Sequence, residues 1–511
     1  MEQIAVSKLV STSVYSKLVF FLTAYPLWWI IAGWVLLEIG FALVVYYFLL
    51  PDLYALKVPT QYHGDIVTMM KRTLDQVHAL NSYTFEMYLR GFFNMAKFEE
   101  IHVDNFRSFL SWCMFHKHLK DLSLKEVSAV TEVLNHVTYK HPEILDLKIG
   151  NNPKISHCSM TLEPLPMIHR PLLLYALVNV IEHVSNCVLL HACGFKRFSL
   201  DGANYWYKHQ DLDRIYKKLS SGREPLVFLH GISTGWLVYT AIVRALGENR
   251  TLLLLDVEAI KVKSLNFDMP TPERFVDRVK RILDRHSIDK ASFVGHSFGS
   301  ITAGWFVRYF PERVSHLTLI DPVSLLLGLP DVAYSFLYRK PRTFMEWVIF
   351  LGAGQEVTVS SALRRHFFWY NNNLWLEDIP PQVGVVVGLA AQDEIIDAAA
   401  VHEYVQNCRA LRLQCLPYPR STPDNSHAKS SSSREFQSRR LTRSMTIAPS
   451  VDHAQNKIDE NGSEVNLVES AEIVVVKWAG FSHGQILLPS QEQQQFVRLV
   501  HANEQKLTKQ C

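Results

Sequence analysis

Hydrophobic positions run almost without interruption from Leu18 to Leu50, where Glu38 is the single charge. At 1.5 Å per residue this stretch is about 50 Å long as a helix, more than the ~30 Å hydrocarbon core of a bilayer. It predicts a membrane helix. Pro26 divides the run into an interfacial piece, Lys8 to Tyr25, and a span from Leu27 to Leu50, with Trp28, Trp29, Tyr46 and Tyr47 at the membrane boundaries. A two-helix hairpin is the alternative. No short apolar core with a small-residue cleavage site is visible, so residues 1–55 read as a retained anchor. Glu38 reads as a buried or partner-facing carboxyl rather than a functional acid.

The period then becomes helical. Ile66, Met69, Met70, Leu74 and Val77 share one helix face, as do Val127, Val130, Leu134 and Val137. Ser123 with Glu126 forms a capping box ahead of the second helix. Residues 56–216 thus form a helical region to which no chemistry attaches. Within it, Pro171 to Cys193 is strongly apolar but broken by Glu182, His183 and His191, which predicts a core or membrane-surface helix before a second span.

Past the polar stretch Lys217 to Glu224, buried strands alternate with helices, the pattern of a mostly parallel α/β sheet. Strands are expected at Leu226–Leu229, Thr251–Leu255, Ala291–Gly295, Leu317–Ile320, Val383–Val387 and Ile473–Val476. Thr271 and Pro272 start a helix whose core face is Phe275, Val276, Val279, Ile282 and Leu283. Two segments depart from this α/β domain of residues 217–511. Residues 322–381 are rich in Phe, Trp and Tyr and predict a helical cap over the active edge, with helices on the sheet flank as the other reading. Residues 417–469 carry a serine run and scattered arginines and read as a disordered insertion, in which Thr442 and Ser444 sit in a basic, kinase-like context.

Composition narrows the partners. The 511 residues carry a formal net charge of +3, with both signs spread along the chain, so nothing points to nucleic acid. Seven cysteines form no C-x-x-C pair, and an odd count fits reduced thiols. The histidines between His63 and His191 lack the clustered spacing of a metal site. Asn249 and Asn461 head glycosylation sequons, usable only if the domain faces a lumen.

One short pattern carries chemistry. Gly295-His296-Ser297-Phe298-Gly299 follows an apolar strand and opens a helix, the context of a nucleophile elbow. Glycines on either side of Ser297 let backbones approach closely at a strained turn. A serine nucleophile needs a base, an acid to hold the base, and donors for an oxyanion. His483 follows the last strand, and Asp393 follows the strand at Val383–Val387. Asp321, at the end of the strand before, is the alternative acid. His230-Gly231 ends the first core strand and offers the Ile232 N–H, while Phe298, after the nucleophile, offers the second donor.

With elbow, His-Gly loop, acid and base in the order Ser, Asp, His, residues 225–500 resemble the α/β-hydrolase family. The resemblance implies an eight-stranded, mostly parallel sheet, a helical cap, and acyl transfer to water through an ester on Ser297. No metal or organic cofactor is called for. A bilayer anchor with an aromatic cap points to a lipid or other apolar acyl ester as substrate, with the bilayer itself as the other partner and the endoplasmic reticulum as the expected address. Two other readings stand beside a membrane-anchored carboxylic ester hydrolase: a thioesterase on the same fold, and an inactive, membrane-anchored interaction protein.

Overall fold

The computed structural model describes residues 28–55, 64–209, 223–262, 266–415, 457–458, 464–465 and 473–510. The interfacial piece Lys8 to Tyr25 lies outside them, as do Thr442, Ser444 and all of the 417–469 segment except two short strands.

Strands that are apolar at every position can be buried on both faces, and that is how the central sheet is built. In chain order the strands are β1 (Lys196–Leu200), β2 (Ala203–Lys208), β3 (Leu226–Leu229), β4 (Leu252–Leu255), β5 (Ala291–His296), β6 (Val314–Ile320) and β7 (Gly384–Ala390). β8 (Lys457–Ile458) and β9 (Glu464–Val465) form a separate antiparallel pair, and β10 (Ile473–Trp478) follows. The main sheet has eight strands in the order β1-β2-β4-β3-β5-β6-β7-β10. From β4 to β10 all pairings are parallel, and every residue of β5 and β7 is buried. Strand order reverses between β3 and β5, which opens a crevice at their carboxyl ends.

The sheet begins upstream of the expected boundary at residue 217. β1 and β2 form a hairpin that pairs antiparallel onto β4. β1 is mostly polar and exposed, and in β2 only Tyr205 and Trp206 are buried, a shorter signal than the continuous apolar runs that follow.

The upstream helices form as their periodicity predicts. Helix Ile66–His78 buries Met70, Leu74 and Val77, and helix Leu124–Lys140 buries Val130, Leu134 and Val137 behind its Ser123–Glu126 capping box, while Val127, expected on the same face, is exposed in the first turn. These helices lie against the segment that follows β6, whose helices run from Pro330 to Asp378. Tyr83 donates to Asp331 at 2.8 Å, Trp369 Nε1 donates to the Cys113 carbonyl at 2.9 Å, and Arg72 reaches Asp378 at 2.8 Å. One continuous apolar core therefore joins helical region, cap and sheet.

The described part of the apolar N-terminal run is a helix, Trp28–Leu53, of 26 residues with mean hydropathy 2.0 and only 6% of its most apolar window buried. Its Glu38 carboxylate accepts hydrogen bonds from the Leu172 and Leu173 amides at 2.9 and 3.4 Å, at the start of helix Leu172–Val184. Glu38 thus caps a helix whose first amides have no partner within it.

Candidate active site

Ser297 sits where β5 turns into helix Gly299–Tyr309, at φ +51°, in the left-handed region that serine rarely occupies. The turn is that tight because its glycines admit no side chain. A Cβ on Gly299 would lie 2.0 Å from the Leu229 carbonyl oxygen, and one on Gly295 would lie 2.5 Å from that of Gly299. The Ser297 amide is anchored on the Ile320 carbonyl at 2.9 Å.

Three loops at the carboxyl ends of β6, β7 and β10 converge beside this turn. His483 Nδ1 lies 2.7 Å from Asp393 Oδ2, and the other Asp393 oxygen accepts the Ile395 and Ile396 amides at 2.7 and 3.0 Å. Asp321 is placed differently. It takes the Ala390 amide at 2.7 Å and the Gly484 amide at 2.8 Å, so it holds the loop behind His483 rather than the ring nitrogen. Glu394, which nothing in the sequence separates from ordinary surface charge, accepts the His483 amide at 3.0 Å.

His483 Nε2 is buried and has no hydrogen-bond partner among the described residues, so the Ser297–His483 bond is not made in this structure. Such bonds are commonly long in unliganded sites and tighten with substrate.

Electrostatics follow from this packing. Complete burial pushes the Asp321 carboxyl up to about 6, and the nearby Asp393 adds to the rise. Burial disfavours a charged His483 ring, but the Asp393 charge and hydrogen bond outweigh it, with Asp321 and Glu394 adding to the rise, and the ring is raised to about 9. Donor atoms of Asp321, Asp393 and His483 lie within 4.8 Å of one another, which is close enough to hold a cation. Every one of those carboxylate oxygens, and Nδ1, is already engaged in the hydrogen bonds above.

Ile232 and Phe298 line the same cavity as Ser297, and among the described residues neither amide has an acceptor. The loop that carries Ile232 is fixed by a relay. Gly231 N–H donates to Tyr239 Oη at 2.8 Å, and Tyr239 lies 3.1 Å from His296 Nδ1. His230 accepts the Val257 amide at 3.1 Å on Nε2 and sits 2.7 Å from the Gly231 carbonyl through Nδ1, which fixes the neutral tautomer with the proton on Nδ1. Burial lowers His230 to about 4 and holds it neutral. Beneath the loop Lys261, 1% exposed, is ringed by Asp256 at 2.9 Å, Glu258 at 3.1 Å and Glu182 at 3.2 Å. Tyr239 and this ion cluster carry no sequence motif; only proximity in the fold reveals them.

The cavity over Ser297 is apolar, walled by Val332, Phe336, Leu337 and Phe367 of the cap and by Ile232 and Phe298 of the sheet edge. Part of the segment 322–381 thus lines this cavity, while Trp369 and Asp331 bond to the upstream helical region.

Sheet order, elbow and converging loops define an α/β-hydrolase domain. Residues 224–380 match the family described as alpha/beta hydrolase fold. Among characterised relatives, the pig 1-acylglycerol-3-phosphate O-acyltransferase ABHD5 is 29% identical over 137 residues, 26% of this chain and 38% of that protein. The Caenorhabditis elegans abhydrolase domain-containing protein abhd-5.2 is 28% identical over 129 residues, 24% of this chain and 29% of that protein. The chain thus spans less than two fifths of the length of either. Solved structures with low overall similarity include a bacterial membrane phospholipase A (TM-score 0.38, 15% identity, 65% of this chain and 94% of that one) and the naproxen esterase of Bacillus subtilis (0.37, 12%, 66% and 100%).

Proposed function

We propose that this protein is a membrane-anchored serine hydrolase that cleaves a lipid acyl ester. The observation that carries the reading is a strained Ser297 on an apolar cavity that Ile232 and Phe298, with their unspent amides, also line, next to a histidine held by Asp393 through Nδ1 with Nε2 unspent, its ring 5.3 Å from that of His296 beside the serine. In the reaction, His483 Nε2 takes the Ser297 proton as the hydroxyl attacks the ester carbonyl. The Ile232 and Phe298 amides receive the oxyanion, and Asp393 stabilises the imidazolium. The imidazolium then protonates the leaving alcohol, and water enters by the same route to release the acid. Neither a metal nor an organic cofactor takes part in these steps. Acyl transfer to a lipid alcohol in place of water would use the same acyl-enzyme, and the name of the pig relative keeps that acceptor in view.

The membrane part of the reading rests on helix Trp28–Leu53, about 39 Å long at 1.5 Å per residue. Beside it, helix Leu172–Val184 exposes Leu173, Leu177, Val180 and Val184 along one ridge, an aliphatic face continuous with the span through the Glu38 cap. A fluorophosphonate probe tests the chemistry. Wild-type protein labels on Ser297 and Ser297→Ala does not; an intact fold that fails to label overturns the hydrolase reading in favour of an interaction protein.

A further inference from the structure

A second apolar cavity lies behind the one over Ser297. It is walled by Met70, Tyr88, Phe92, Trp112 and Cys113 of the upstream helices together with Trp369 of the cap. Met160, Ala333 and Phe367 line both spaces, so a partition of three side chains separates them, one of them no larger than a methyl group. Tyr88 is fully buried, yet its hydroxyl has no hydrogen-bond partner among the described residues. Hydroxyls in close-packed interiors are ordinarily paired, and cores leave few voids.

We infer that the two cavities form one channel for a long, unbranched acyl chain, with its carbonyl at Ser297 and its tail beneath helices Ile66–His78, Phe85–Phe92 and Val103–Phe115. The inference rests on the hydrolase reading above and deepens it by naming the acyl class. It also gives the upstream helical region a function, because that region supplies the far wall of the substrate site from residues outside the segment matched to the hydrolase family. The partition suits such a guest. Methionine is unbranched and adapts its shape readily, and Phe367 is the single ring between the two spaces. The walls offer a methylene chain contact on most sides, with the Tyr88 hydroxyl and Thr73 as the polar groups among them.

The test uses the full-length wild-type protein in nanodiscs. It is treated with a hexadecyl fluorophosphonate that carries a diazirine near the tail, so that Ser297 Oγ displaces fluoride from phosphorus and tethers the chain. After irradiation, mass spectrometry locates the tail. Crosslinks to Met70, Tyr88, Trp112 or Cys113 are expected. Crosslinks confined to the outer cap residues Trp347 and Leu351, or to the surrounding lipid, would overturn the channel while leaving the hydrolase reading intact. Failure to tether at Ser297 would instead remove the reading on which the channel rests. A second measurement reads chain length by turnover. Cys113→Phe fills the far cavity and is expected to lower kcat/KM on a hexadecanoate ester about a hundredfold more than on a butanoate ester, since several methylenes lose their burial. Equal retention on both esters would overturn the proposal.

Discussion

Replacing Asp321 by Asn removes one negative charge that faces the His483 ring without touching Nδ1, which stays with Asp393. The ring faces Asp393, Asp321 and Glu394, and it is also 5.3 Å from the buried, neutral His296 ring. With His483 raised to about 9, only about 1% of it is neutral and able to act as a base at pH 7. If the proposed reaction holds, kcat/KM in the wild type is expected to climb through neutral pH with a midpoint near 9 and to level off above it. Two charges 4.8 Å apart interact by roughly 3.5 kcal/mol at an effective dielectric constant of about 20, equivalent to about 2.5 pKa units. Because Asp321 itself rises to about 6, its charge is present through the range in which His483 titrates. We expect D321N to move the limb down by about 1–2 units and to raise kcat/KM at pH 7 by about tenfold, with an unchanged or lower plateau. The Asn side chain has one acceptor for two amides, so a loss of about 1–3 kcal/mol in stability should accompany the shift. The assay is kcat/KM against pH on a soluble ester, normalised to fluorophosphonate-reactive sites. An unmoved midpoint would refute the claim that Asp321 sets the basicity of His483.

Three further outcomes test the surroundings of the site. Because the folded His483 value is raised, the stability it contributes is full below its ordinary value of 6.5 and is lost as pH rises through about 9, by roughly 3 kcal/mol; the thermal midpoint should fall across that window, and Asp393→Asn should flatten the fall. Tyr239→Phe leaves the Gly231 amide and His296 Nδ1 unpaired, so the thermal midpoint should drop with about 1–3 kcal/mol of stability, and kcat should fall more than KM rises because the Ile232 amide loses its footing. Lys261→Met buries three carboxylates without their cation and should cost about 3–5 kcal/mol, read as a lower thermal midpoint, whereas the same change at the exposed Lys280 should do nearly nothing.

The sequence alone determined much of the framework, because its signals are local. Continuous apolar runs specify buried parallel strands, Thr271-Pro272 specifies a helix start, and glycines at 295 and 299 specify a turn that only a side chain without Cβ permits. The order of Ser297, Asp393 and His483 was legible for the same reason: each stands directly after a strand, and parallel strands end at one edge of the sheet. What the chain order could not decide was which of two buried aspartates meets the His483 ring, since both follow adjacent strands and only loop geometry directs one to Nδ1 and the other to the loop backbone. The β1–β2 hairpin escaped notice because edge strands bury only part of their surface and lack a continuous apolar run. Tyr239, Lys261 and the cavity shared with the upstream helices depend on contacts between residues far apart in the chain, and such contacts exist only after packing brings the elements together.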